Sequence, residues 1–167
     1  AGVPELLRSK LLQSKGVRLA GEDRVQTVID ALKLPEGDET RPASIQRITA
    51  LVGVENTVTG SLLKAGGKFK IVATVTRASA GAAAPGPPII LEGTGEESIF
   101  SMADELTRRI RNEVGVSRGW LETDRSAADL STRSVEALRL YSEGLALSRA
   151  GNQREAARRL EGAVEKD

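Results

Sequence analysis

Two alternating runs, 57–64 and 69–76, flank the pair Gly66-Gly67, and that arrangement narrows the possible folds more than any other part of the chain. Two adjacent glycines suit a tight hairpin turn in which both central residues take positive φ. With that pair as a two-residue loop, Lys64 lies opposite Phe69, Leu62 opposite Ile71, Gly60 opposite Ala73 and Val58 opposite Val75. Directly opposed residues share a face, so Val58, Leu62, Ile71, Ala73 and Val75 point one way. Thr59, Ser61, Lys70, Val72 and Thr74 point the other and are mostly polar. A sheet with one dry side needs a covering layer.

The 167 residues are enough for one ordinary domain and an appendage. With 40% hydrophobic and 28% charged residues the chain has a globular rather than a disordered composition. A net charge of +1 provides no global field for nucleic acid. The chain has no cysteine, which excludes disulfides, thiolate nucleophiles and cysteine metal sites. It has no histidine either, which removes the commonest general base and transition-metal ligand. No run of 18 apolar residues occurs, and Ala1-Gly2-Val3-Pro4 is not a signal peptide.

Pro4 opens a helix carrying Leu6, Leu7, Leu11 and Leu12, with Gly16 as its stop. Residues 17–20 read as a short strand. A second helix starts near Asp23, with Val25, Val28, Ile29 and Leu32 on one side. Residues 35–42 form a polar loop, and a third helix from Ala43 buries Ile45, Ile48, Leu51 and Val52 before Gly53. Residues 79–88, rich in Ala, Gly and Pro, have nothing large to bury and read as a mobile connection. Residues 89–92 are a further strand, antiparallel to the one before. The strongest helix is 98–114, with Ile99, Met102, Leu106, Ile110 and Val114 as its stripe. Gly60 opposite Ala73 leaves a groove for a helix backbone, and the helices at 98–114 and 43–52 are the expected cover. The fold class is α/β (α+β): a mixed sheet with an antiparallel hairpin under helices, plus a C-terminal helical hairpin. The divisions are an α/β domain over 1–116, a linker over 117–131 containing Trp120, and a helix pair over 132–167.

Each motif that hints at catalysis has a plainer explanation. Ser61-Leu62-Leu63-Lys64 matches a Ser-x-x-Lys pattern, which needs both groups on one helical face. Here the segment is a strand, and positions three apart point to opposite sides. Gly93-Thr94-Gly95 precedes a helix as a phosphate-binding turn does, but Glu96 and Glu97 would repel phosphate. Helix capping by Thr94 or Ser98 accounts for it better. Gly66-Gly67-Lys68 lacks P-loop spacing. The loop Glu36-Gly37-Asp38-Glu39 lacks the spacing of an EF-hand. Arg108, Arg109 and Arg111, and likewise Arg154, Arg158 and Arg159, read as solvated helix faces, since stacking aromatics are missing. The reading is therefore non-enzymatic, with no catalytic, cofactor-binding or metal residues and no cofactor.

The stretch 43–61, the hairpin and the helix at 98–114 together resemble the TolB amino-terminal-like domains, also called FlgO-like, over roughly residues 3–115. That resemblance implies alternating helices with a mixed sheet, often followed by tetratricopeptide repeats, in bacterial proteins. These include the non-catalytic regions of transmembrane serine/threonine kinases and adenylate cyclases. Members begin with a strand ending near Pro-Phe, whereas this chain opens at a helix; against the resemblance, either that strand is cut off or the chain is a variant, with a sheet one strand short expected. The tail resembles one tetratricopeptide repeat: Leu140, Glu143, Gly144 and Leu147, then Ala156, Leu160 and Ala163, follow its spacing, with Gly144 and Ala156 letting the helices touch. Asp167 falls where such a repeat continues into the next, implying a truncated array.

The function expected from these readings is a sensory or protein-interaction segment of a bacterial signalling protein, extracytoplasmic, with membrane attachment only through a segment outside this chain. The alternative is a periplasmic small-ligand binding or assembly domain using the open sheet face or the 79–88 region. The partner is a protein, met by the tetratricopeptide helices, and not nucleic acid. The expected contact residues are Leu138, Tyr141, Leu145, Leu160 and Val164, an apolar ridge that a following repeat would cover. Left uncovered, the ridge folds back near Trp120 or pairs two molecules as a homodimer, and pairing is the favoured outcome.

Overall fold

The computed structural model describes residues 2–14, 16–35, 37–79, 82–115, 132 and 134–167. Gly66 and Gly67 have φ of 54° and 77°, the left-handed values that a two-residue primed loop requires. Strands β1 (Asn56–Ala65) and β2 (Lys68–Ser79) close on this turn with Ala65 opposite Lys68. Lys64–Phe69, Leu62–Ile71, Gly60–Ala73 and Val58–Val75 are all opposed, as the alternation predicts.

The far edge of β2 carries two strands in series, β3 (Ala82–Pro85) and β4 (Ile89–Thr94). All three pairings are antiparallel, so among the described residues the sheet has no parallel pair where the sequence reading expects a mixed one. β3 also corrects the expectation of a mobile connection over 79–88. An alanine run has no side chains to bury, but its backbone can still satisfy the open edge of β2. Between β3 and β4 the register slips: Thr76 faces Pro85, yet Ala73 faces Ile89, so this side holds one residue more than β2 does. The bulge falls at Gly86-Pro87-Pro88, where the Gly86 N–H donates to the Val75 carbonyl at 2.8 Å and the prolines have no N–H to place. Its consequence is facial: Ile89 and Leu91 turn into the core while Ile90 faces out.

Helix α1 (Val3–Leu12) and helix α4 (Ser98–Glu113) cover the dry face. Their Val3, Leu6, Leu11, Ile99, Phe100, Met102, Ala103, Leu106 and Ile110 join Phe69, Ile71, Ala73, Val75, Ile89 and Leu91 in one apolar core. Helix α3 (Pro42–Val52), expected in that layer, lies outside it and rests chiefly against β3, with lesser contact to β1 and β2. It buries Ile45, Ile48 and Val52 as expected, but Leu51 is 57% exposed. Helix α2 (Glu22–Leu32) packs on α3 and has no fully buried residue. The close approach of helix to sheet occurs at Gly93 rather than Gly60: a Cβ there would collide with Ser98 and Met102 on α4. At Gly60 the crowding comes from Val72 and Ala73 of the neighbouring strand. Residues 17–20 form no strand, and Val17 and Leu19 pack on the core from an irregular segment.

Lys10, 2% exposed, enters this interior because its ammonium meets Asp104 of α4 at 3.0 Å. Arg111 is also buried, and its Nε donates to Ser14 Oγ at 2.6 Å and Nη2 to the Lys10 carbonyl at 3.2 Å. These bonds fasten α1 to α4 and correct the reading of Arg111 as a solvated residue.

Helices α5 (Val135–Arg149) and α6 (Gln153–Lys166) form the C-terminal hairpin. The Ser134 hydroxyl caps α5 by accepting from the Ala137 N–H at 3.1 Å. Gly144 leaves the room that Leu160 fills, and Ala156 is buried beside it, so the small residues do let the helices touch. Arg159–Glu143 at 3.2 Å and Lys166–Glu136 at 3.7 Å cross between the two helices.

Candidate functional site

The hairpin is fixed to the α/β layer by one side chain in particular. Leu138, at the end of the first turn of α5, is 3% exposed and belongs to the same core as Val3 and Leu6. It fills the space above Gly2, whose φ of 76° and lack of a side chain leave that space open. At the other end of α5, Arg149 reaches Glu22 of α2 at 2.6 Å. A polar cleft of about 560 Å³ opens there, lined by Glu22, Asp23, Gln26, Thr27, Asp30 and Arg149.

The five expected contact residues therefore separate. Leu138 is core and unavailable to a partner. Leu160 is half-buried against Gly144 inside the hairpin. Tyr141 at 45% and Val164 at 79% exposure stand out to solvent, and Leu145 is half-buried. On α5, Leu138, Tyr141 and Leu145 recur at helical spacing, so one stripe begins in the core and emerges along the helix. The outward ridge predicted from the repeat is corrected to these emergent residues. Folding-back near Trp120, and the linker itself, fall outside the described residues.

The polar motifs resolve as follows. Ser61 lies on the more open face opposite Val72. Lys64 lies on the other face, its Nζ 5.2 Å from the Phe69 ring centre and 3.0 Å from Glu96. The two groups of the Ser-x-x-Lys pattern do not converge. At the start of α4 the N-cap residue, Glu97, makes no side-chain capping bond, and Ser98 Oγ donates to the Gly95 carbonyl at 2.7 Å. The capping expected of Thr94 or Ser98 is thus replaced by a turn closed from the donor side. Asp38 sits in a short 3-10 turn (Asp38–Thr40) and pairs with Arg41 at 2.9 Å. Among the described residues no three carboxylates gather as metal ligands, and no helix is long and apolar enough to cross a membrane.

Glu105 receives hydrogen bonds from both Arg108 and Arg109, which hold its carboxyl down at about 2. The hydrogen bond from Lys70 lowers Glu92 in the same way. The arginine cluster on α4 is thereby neutralised in part by its own helix.

Sequence reasoning did not find Lys10, Asp104 and Arg111, whose partners lie far apart in the chain, nor the cleft between α2 and α5. The only local signal was that Lys10 adjoins Leu11 on the buried side of α1. Comparison of the chain with known protein families, curated proteins and solved structures finds no match.

Proposed function

We propose that this chain is a non-catalytic protein-interaction segment of a bacterial signalling protein, in which the α/β layer holds the α5–α6 hairpin and the hairpin meets a protein partner. The observation that carries this reading is the division along α5. Leu138 is spent on anchoring, while Tyr141, three residues on, is exposed, as is Val164 on α6. Exposed large apolar side chains on a helix pair anchored from one side suit a contact surface. Separation of Ser61 from Lys64 supports the non-catalytic part. The resemblance to TolB amino-terminal-like and tetratricopeptide sequences supports the bacterial, extracytoplasmic setting, with any membrane anchor lying in another segment.

A photo-crosslinking residue placed at Tyr141 or Val164 in the native host tests the proposal, with Leu51, an exposed leucine on α3 intermediate in exposure between them, as control. The same discrete protein adduct is expected from both hairpin positions and not from Leu51. No adduct from either hairpin position, or the same adduct from all three, would overturn it.

A further inference from the structure

Among the described residues no strand covers the outer edge of the ten-residue β1, and the backbone groups along that edge can be identified. The two-residue turn makes Ala65–Lys68 a hydrogen-bonded pair, so bonded pairs recur at every second residue of β1. The Ala78 N–H, donating to the Glu55 carbonyl at 2.7 Å, keeps that phase at the far end. The N–H and C=O groups of Asn56, Val58, Gly60, Leu62 and Lys64 therefore point away from β2, toward the open edge. Those residues also carry the dry-face side chains of β1. Val58 remains 39% exposed and Leu62 half-buried, while their partners Val75 and Ile71 on β2 are covered. Among the described residues nothing caps the dry face where it runs out to this edge.

Edges are ordinarily guarded by charge, proline or a bulge. Between Asn56 and Leu63 this one has none of them: no charged residue, no proline, and unbroken pairing with β2. Charge appears only at the ends, with exposed Glu55 before the strand and Lys64 near its close. Antiparallel pairing of two such edges brings the acidic end of one beside the basic end of the other, whereas parallel pairing brings like ends together.

We propose that β1 pairs with β1 of a second copy of this chain, antiparallel, with the two Gly60 residues facing each other on the two-fold axis. This register keeps both dry faces on one side, as face continuity requires. It sets Val58 opposite Leu62 of the second copy, and Leu62 opposite Val58 of that copy. Four partly exposed apolar side chains close over the axis, with no Cβ at the centre to hold them apart. Lys64 falls opposite Asn56 of the second copy, so no like charges meet. The outward-facing N–H and C=O groups of Val58, Gly60 and Leu62 form the bonded pairs. The assembly is isologous and independent of the α5–α6 hairpin.

Sedimentation and amide exchange across a concentration series test this on the unmodified chain. A dimer is expected at high concentration, with exchange of the Val58, Gly60 and Leu62 amides slowed about tenfold or more as it forms. Val58→Lys should abolish the dimer with the monomer still folded. The double variant Val58→Lys, Leu62→Glu should restore it, because this register alone opposes each lysine to a glutamate. A monomer at all concentrations overturns the proposal, as does a dimer that leaves those amides unprotected. A dimer lost in the single variant and not regained in the double refutes the register. Should Val58→Lys fail to fold, the exchange measurement decides alone.

Discussion

Ile71 and Lys70 are neighbours in sequence that lie on opposite faces of β2. Ile71 is 3% exposed between Leu62 and Leu91, beneath the helical layer. Ile71→Lys removes a buried aliphatic side chain, a change of about 2–4 kcal/mol. It also forces an ammonium out of water or displaces the helices above it, about 1–3 kcal/mol more. A loss of about 4 kcal/mol is a large part of the stability of an ordinary domain. At roughly 2–4 °C per kcal/mol for a chain of this size, the melting temperature should fall by about 8–16 °C. Lys70 points to the open side, where its ammonium meets Glu92 at 3.0 Å with both groups largely solvated. Lys70→Ile sacrifices a solvent-screened surface ion pair and gains a better strand former. Its melting temperature should stay within about 3 °C of the parent. Thermal and urea unfolding followed by circular dichroism measure both. Equal losses, or a larger loss for Lys70→Ile, would show that the register assigned to β2 is off by one.

Three other substitutions probe separate parts of the structure. Leu138→Ala should cost about 2–4 kcal/mol in urea unfolding, because it empties a core position, whereas Val164→Ala should stay within about 0.5 kcal/mol. Gly144→Leu overfills the contact with Leu160 and should lower the melting temperature by the equivalent of about 1–3 kcal/mol; an unchanged melt would mean the helices meet elsewhere. Glu105 is held at about 2 in the folded chain by Arg108 and Arg109, against 4.5 ordinarily. Its contribution is therefore complete above about pH 4.5 and is lost as pH falls toward 2. Glu105→Gln should flatten that part of the stability profile, by no more than about 1 kcal/mol because the group is well solvated.

What could be read in the sequence was what local rules determine. The β1–β2 register follows from a two-glycine turn and strict alternation, both contained within twenty residues. Helix α4 was legible because its stripe is long and regular, ending at Glu113 with Gly115 just beyond. β3 was not, because an alanine-rich strand forms through backbone pairing and leaves no hydrophobic pattern. Residues 17–20 had strand-like composition, but Val17 and Leu19 are used to pack on the core from an irregular segment rather than to pair with a strand. That α1 rather than α3 joins α4 as the cover is not visible in the sequence, where nothing local shows that Lys10 is neutralised by Asp104. A lysine on the inner side of α1 argues against burial until that partner is known. For the candidate surface, Tyr141 and Val164 were legible as exposed apolar residues. Leu138 was misassigned because the repeat pattern gives it an outward role, while its burial depends on a glycine at the other end of the chain.

Anchoring of the helical hairpin to the α/β layer through Leu138 sets which of its residues remain open to a partner. The direct measurement is a nuclear Overhauser contact between the Leu138 methyls and the Gly2 α-protons, recorded on uniformly labelled protein and on a mixture of labelled and unlabelled chains. A strong contact in the first sample and no intermolecular contact in the second is the predicted result. Loss of the contact, or its appearance only between molecules, would contradict the anchored hairpin and the interaction surface derived from it.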